Sequence, residues 1–401
     1  MTTRVTRRGF LAGMTAATAL PAAGAWPRPA RAQQPVVRIG ELAGLTGPIA
    51  IYGQNLHNAR LMAVDDINAR GGVNIKGTKH RLEFTHLDVG SPSEAVKVFE
   101  RLLAVEKVKL VVDGLYSSVE YALGPVIKQK DALVVWSAGN DPATTVGVPN
   151  AFRNTFDGGA PLMKVTETFL KKQGVKRIAT YGQTGHADFK KFCEEYLPKT
   201  PGFEVLSSDW HPFGEKDFFP ILTKLKNAKP DAVITHGFYS DGVTMLKQAR
   251  EIGLFPGPLW LTQYGAVPTL MDEGSRKYFD GTYEDLFSTY AVTGEKPPKS
   301  QKFYDAYVKK YGSDRGFAVW AESGYDSILI LARAVEKAGT FDDIPKVIAA
   351  MSALSVEEIP ELLCPYRPGK LFDENRQSYP KIIVGHWRDN KVVPVYADYG
   401  V

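Results

Sequence analysis

The chain has 401 residues, 44% of them hydrophobic and 23% charged, with a formal charge of +5 and two cysteines. That length suits two domains better than one and buries enough surface to need no disulfide scaffold. Arg4, Arg7, Arg8, Arg28 and Arg31 lie in a leading segment with no lysine or acidic residue; removing these five from the 49 basic residues leaves 44 against 44 acidic, so nothing in the composition argues for nucleic acid or an anionic membrane surface as partner.

Thr6-Arg7-Arg8-Gly9-Phe10-Leu11 is a twin-arginine motif, followed by an apolar stretch over residues 11–25 and a small-x-small cleavage site at Ala30-Arg31-Ala32. Residues 1–32 are therefore expected to be an export signal, cleaved near Ala32. With no cysteine near that site to carry a lipid and no other run apolar enough to span a bilayer, the mature chain is expected to be a soluble periplasmic protein.

Residues 36–40 read as the first strand, with a Gly44-Leu45-Thr46-Gly47-Pro48 loop behind it. Leu56, Ala59, Ala63 and Ile67 mark a helix that stops at Gly71-Gly72. A strand over 82–88 and a helix through Ala95, Val98, Leu102 and Val105 follow. The stretch 110–145 organises the rest: the apolar run at 110–112, a loop holding Ser117 and Ser118, a helix through Val119, Ala122 and Val126, a second apolar run at 133–136, and a loop Ser137-Ala138-Gly139-Asn140. A strand, helix, strand unit makes the two strands parallel and opens both small-residue loops at one edge, outside the carboxyl ends of the strands, where such sheets bind ligands. Serines at a helix start can bind an anion with backbone N–H groups, and they can equally cap the helix; two such loops at one edge point toward a site.

After the break Gly158-Gly159-Ala160-Pro161 a second series begins, with strands over 177–181, 204–210, 231–235 and 259–261 and helices over 162–172, 189–197, 220–226 and 243–252. Two such series mean two doubly wound α/β domains. Beyond residue 282 the pattern turns helical, with Phe303, Tyr307 and Tyr311 on one helix and further helices over 318–338 and 344–351. Those helices need a sheet to cover, and the first domain is the nearest incomplete one. A hairpin over 381–396 turns at Arg388-Asp389-Asn390.

Ile39-Gly40-Glu41-Leu42, Leu45-Thr46-Gly47-Pro48, Tyr52-Gly53 and the run from Asp65 to Val73 resemble the periplasmic branched-chain amino-acid-binding proteins of ABC transporters. Gly214-Glu215-Lys216-Asp217-Phe218, Met245-Leu246-Lys247-Gln248-Ala249-Arg250 and Gly253-Leu254 extend the resemblance over nearly the whole mature chain. It implies a type I binding-protein fold: two doubly wound Rossmann-like lobes joined by a three-crossover hinge near Phe156-Asp157, Leu286 and residues 381–384. On this assignment lobe 1 is 36–156 plus 287–380 and lobe 2 is 157–286 plus 381–401, which separates Cys193 from Cys364, so no disulfide is expected between them. It further implies a monomer that captures a small molecule between the lobes for a permease in the inner membrane, or presents it to a sensor, with no cofactor or metal.

Carried over residue by residue, the resemblance puts Ser117, Ser118, Ser137, Ala138, Gly139 and Asn140 on a ligand carboxylate and Tyr52 over the ligand. Phe238, in the Gly237-Phe238 pair, and His186 fall at the cleft positions of the second lobe. Relatives that bind amino acids place a glutamate after the strand ending at Leu261, and this chain reads Thr262-Gln263-Tyr264-Gly265. A buried ammonium without a carboxylate partner costs several kcal/mol. Tyr264, with Phe238, Tyr239 and Tyr116, instead favours a carboxylate with an aromatic body, such as a benzoate or phenylpropanoid; an amino acid is the alternative, with Asp241 or Asp285 taking its ammonium. The chain carries no G-x-S-x-G, H-E-x-x-H, P-loop or G-x-G-x-x-G fingerprint, and no histidines at metal-ligand spacing, so an enzyme is not expected.

Overall fold

The computed structural model describes residues 34–47, 50–113, 117–138, 141–237, 239–263, 272–285, 289–290, 293–312 and 320–401. The twin-arginine motif, the cleavage site and the hinge position at Leu286 lie outside the described residues.

Short β-rich runs separated by helical repeats make β1 (Val36–Ala43), α1 (Ala50–Ala69), β2 (Val73–Ile75), β3 (Thr78–Asp88), α2 (Pro92–Ala104), β4 (Leu110–Asp113), α3 (Ser117–Ile127), β5 (Leu133–Trp136) and β6 (Ala151–Arg153). The strands form one sheet in the order β2-β3-β1-β4-β5-β6, parallel except for the β2–β3 hairpin. Alternation along β4 shows why: Leu110 and Val112 join a core with Ala63 and Ile67 of α1, while Val111 faces Phe99 and Leu102 of α2. A parallel sheet covered on both faces requires such continuous apolar strands.

The second series gives α4 (Ala160–Lys172), β7 (Arg177–Gln183), α5 (Ala187–Lys191), β8 (Glu204–His211), α6 (Phe219–Ala228), β9 (Ala232–His236), α7 (Tyr239–Glu251), β10 (Leu259–Gln263), α8 (Glu273–Arg276) and β11 (Tyr283–Asp285). Next come α9 (Pro298–Tyr311), α10 (Ala321–Ala338) and α11 (Ile344–Ser352), and last β12 (Ile382–Arg388) and β13 (Lys391–Asp398). The second sheet has the order β13-β12-β11-β10-β9-β7-β8, with only β12 running against the other strands. Ile328, Leu331 and Val335 of α10 and Val347 and Met351 of α11 bury into the core of the first sheet. The chain therefore passes between the sheets three times, after β6, after β11 and before β12, which is the two-lobed type I architecture.

Three strands escape the sequence pattern because each has only three residues: β2, β6 and β11. The β2–β3 turn is carried by Lys76 and Gly77, whose φ angles of 49° and 87° lie in the left-handed region that a two-residue hairpin needs. Helix α5 is shorter than the expected 189–197, giving way to a π-helical turn over Phe192–Tyr196 and a 3-10 turn over Leu197–Lys199, where Pro198 has no N–H to continue an α-helix. Cys193 and Cys364 are buried thiols in separate core clusters. Among the described residues no helix is long and apolar enough to cross a membrane.

Candidate functional site

In the first sheet the chain runs from β1 out to β3 and returns to the other side of β1 at β4; in the second it runs from β7 to β8 and returns at β9. The connections leaving β1 and β4, like those leaving β7 and β9, diverge and open a crevice beyond the carboxyl ends. Open α/β sheets bind ligands at these switch points.

At the first switch point, the loop after β1 is held by the Asp88 carboxylate, which accepts the Leu45 N–H at 2.8 Å and the Thr46 hydroxyl at 2.6 Å. Tyr52 follows in the first turn of α1, buried, its ring set edge-on to Trp320 with centroids 5.3 Å apart. Gly53 permits this close approach, since a Cβ there would stand 2.0 Å from the Gly44 carbonyl oxygen. The loop after β4 delivers Ser117 and Ser118 into the first turn of α3, Ser117 half-buried and Ser118 exposed. The Ser117 Oγ accepts the Asp141 N–H at 3.2 Å, which ties this loop to the one after β5. Ser137 donates its N–H to the Asp113 carbonyl at 2.9 Å and accepts the Ser323 hydroxyl on its carbonyl at 2.8 Å. The Ser137 Oγ is buried and has no hydrogen-bond partner among the described residues. Buried polar atoms are nearly always paired, so this hydroxyl and the first-turn serines form a neutral, donor-rich edge suited to an anion.

Two buried ion pairs frame that edge. Glu41 of β1 accepts from Arg60 at 2.7 Å and from His57 Nδ1 at 2.5 Å, and Arg60 also donates to the Asp113 carbonyl at 3.1 Å. Burial alone would raise the Glu41 carboxyl, but the His57 hydrogen bond and the Arg60 charge outweigh it and hold it below the usual range. Glu120 of α3 meets Arg153 of β6 at 2.8 Å with both side chains fully buried. Arg153 continues to the Thr144 hydroxyl and to Gln377. These charges are neutralised inside the lobe, so they orient the loops and do not face a ligand as net charge.

The second switch point has a different character. His236 ends β9 and His186 lies in the loop after β7, their rings 4.3 Å apart; the Phe189 ring is 4.9 Å from His236. The His236 Nδ1 is buried without a hydrogen-bond partner among the described residues. Burial, then the neighbouring His186 and His211, push the His236 imidazole well below its ordinary pKa, so it is neutral at pH 7. Asp241 is buried and accepts the Gly214 N–H at 3.3 Å and the Ser240 hydroxyl at 3.3 Å, with His211 Nδ1 3.7 Å away. Asp285 accepts from Gln263 at 3.4 Å, and Glu284 accepts from the Thr262 hydroxyl.

Of the residues expected from the sequence, Tyr52, Ser117, Ser118, Ser137 and Ala138 gather at the first switch point and His186 stands at the second. Tyr116, Gly139, Asn140, Phe238 and Tyr264 lie outside the described residues, and Tyr239 is described only by its backbone at the start of α7. Sequence reasoning missed His236, Trp320 and Ser323. His236 was accessible to the rule that selected Ser117, because it closes an apolar strand just before a loop at a sheet edge.

The profile of the periplasmic binding protein family matches residues 36–391. The chain belongs to that family. It is a periplasmic substrate-binding protein of an ABC transporter, a non-enzymatic component that takes up a small molecule and delivers it to a permease. The Leu/Ile/Val-binding protein homolog 7 of Brucella abortus is 26% identical over 378 residues, covering 90% of this chain and 92% of its own. Among solved structures, the branched-chain amino acid binding protein LivJ of Streptococcus pneumoniae, in complex with isoleucine, aligns with a TM-score of 0.74 at 22% identity, covering 90% of this binding protein and 99% of its own chain. A Rhodopseudomonas palustris solute-binding protein in complex with 3,4-dihydroxybenzoic acid aligns with a TM-score of 0.72 at 22% identity, covering 91% and 98%.

Proposed function

We propose that this protein, exported by the twin-arginine route, works as a monomer that captures an aromatic carboxylate between two lobes, residues 36–156 with 287–380 and residues 157–286 with 381–401. In this reading the first-turn serines of α3 and Ser137 hold the carboxylate, while Tyr52, His186, Phe238, Tyr239, Tyr264 and Tyr116 surround the ring with Ala138, Gly139 and Asn140 completing the anion loop. The observation that carries it is the state of the carboxylates of the second sheet: Asp241, Glu284 and Asp285 are buried and each already accepts a hydrogen bond, while the second switch point itself holds a pair of imidazoles. An amino acid's ammonium would have to draw one of these acids away from its partners or go unpaired, at several kcal/mol. The R. palustris neighbour with 3,4-dihydroxybenzoic acid has the same fold and fits this reading.

A branched-chain amino acid is the second reading, favoured by the curated relatives named as Leu/Ile/Val-binding homologues. Calorimetry with leucine, phenylalanine, benzoate and cinnamate separates the two. Tight binding of leucine or phenylalanine with no response to either aromatic acid would end the aromatic-carboxylate reading.

A further inference from the structure

The carboxylate end of the ligand accounts for the serines of the first switch point and does not account for the unpartnered His236 nitrogen at the second. His186, in the loop after β7, and His236, the last residue of β9, follow neighbouring strands whose connections diverge at the reversal of strand order, and their rings sit 4.3 Å apart with Phe189 packed beside them. Gly182, one residue before the end of β7, allows that packing, because a Cβ there would stand 2.7 Å from the Phe189 ring and 2.8 Å from Trp210. An orphaned Nδ1 on His236 is an exception to the pairing of buried polar atoms, and at a sheet edge that binds ligands the exception has a natural explanation.

We propose that His186 and His236 form a subsite for an uncharged hydroxyl at the far end of the ligand ring, so that the protein selects phenolic carboxylates over unsubstituted, dicarboxylic or amino-substituted aromatic acids. This rests on the aromatic-carboxylate reading above. A neutral imidazole presents either an N–H donor or a bare acceptor nitrogen, and a hydroxyl, which donates one hydrogen and also accepts, can pair with the orphaned His236 Nδ1 in either tautomer. A second carboxylate only accepts, and offsetting its buried charge would require His236 to become charged. That is disfavoured here, because burial and the adjacent His186 and His211 both oppose protonation of His236. An ammonium only donates and would meet no uncommitted carboxylate among the described residues, since Asp241 already accepts the Gly214 N–H and the Ser240 hydroxyl. Phe189 adds an apolar wall that suits a ring and makes a misplaced charge costlier.

The test titrates the purified protein at pH 7.5 with benzoate, 4-hydroxybenzoate and benzene-1,4-dicarboxylate by calorimetry, in the wild type and in His236→Phe and His186→Phe. The wild type should bind 4-hydroxybenzoate about tenfold or more tighter than benzoate, the worth of one well-made hydrogen bond, and the dicarboxylate more weakly than either. His236→Phe should remove the preference, bringing the affinities for 4-hydroxybenzoate and benzoate together. Equal wild-type affinities for benzoate and 4-hydroxybenzoate, or a preference that survives both substitutions, would overturn the subsite and leave the aromatic-carboxylate reading standing. Failure of all three acids to bind the wild type would overturn that reading and the subsite with it. Should His236→Phe not fold, the wild-type ratio of the two monoacids and the His186→Phe variant decide the matter.

Discussion

The two switch points occupy equivalent places in their sheets and are built from opposite materials. Beyond β1 and β4 the crevice is lined by hydroxyls and backbone groups, braced by the Glu41–Arg60 and Glu120–Arg153 pairs buried beneath it. Beyond β7 and β9 it is lined by imidazoles and a phenyl ring. The difference separates two jobs. An anion is held well by fixed dipoles whose orientation is locked from behind, whereas discrimination among ligand bodies needs shape and a few polar atoms against an apolar wall.

The largest break in this comparison is expected from Arg153→Leu, which leaves the Glu120 carboxylate buried without its cation. Loss of one partner of a buried pair costs about 3 to 5 kcal/mol, readable as a lower urea midpoint. Next comes the seam between the regions, where Glu322 of α10 accepts the Thr289 hydroxyl at 2.6 Å and the Tyr290 N–H at 3.2 Å from the segment leaving the second sheet. Burial pushes its carboxyl up to about 7. The fold therefore favours the protonated acid: the contribution is complete below the unfolded value near 4.5 and is lost as pH rises through 7, by about 3 kcal/mol. Glu322→Gln should flatten the decline in stability between pH 5 and 8, and an unchanged slope would place the titration elsewhere.

Ser118→Ala should weaken carboxylate binding by about 1.5 to 3 kcal/mol, the range for a hydrogen bond to a charged group, with no change in melting temperature because the side chain is exposed. The counterpart in the second half is Gly182→Ala, whose methyl group must displace Phe189 or Trp210. It should lower stability by about 1 to 3 kcal/mol and reduce affinity for aromatic ligands, with the serine edge left intact. The smallest effect belongs to Ser117→Ala, which removes a neutral bond to the Asp141 N–H and should lower stability by about 0.5 to 1.5 kcal/mol. A change in ligand affinity far larger than that for Ser118→Ala would assign the carboxylate chiefly to Ser117.

The architecture was legible wherever pattern and length agreed. The unit from β4 to β5, with Ser117 opening α3, follows from two apolar runs around a helical repeat, and the β12–β13 hairpin follows from its turn, where Asp389 and Asn390 adopt φ of 52° and 60°. Strands of three residues give no periodicity to read, so β2, β6 and β11 were out of reach. Within the site, the serines could be found because a hydroxyl at a helix start is a local signal. The His186–His236 pair could not, since it joins residues fifty positions apart whose proximity depends on β7 and β9 being neighbours across a reversal in strand order. Glu322 and Asp326 carry no local signal of their burial, and only the packing of α10 shows both to be fully buried.

The Ser323 hydroxyl on the Ser137 carbonyl, and the Asn154 side chain on the Ser323 carbonyl, bind the loop after β5 and the end of β6 to a helix that enters the chain nearly two hundred residues later. A ribosome that has released everything up to β11 has therefore supplied both switch points and finished neither lobe. The first sheet waits, one face covered only by α1, for α10 and α11 to arrive. Closing so wide a loop is entropically expensive and slow, and it falls late in synthesis. Fragments ending before residue 320 should accordingly be captured by proteases and chaperones, and competence to bind should appear only when the C-terminal third has been made.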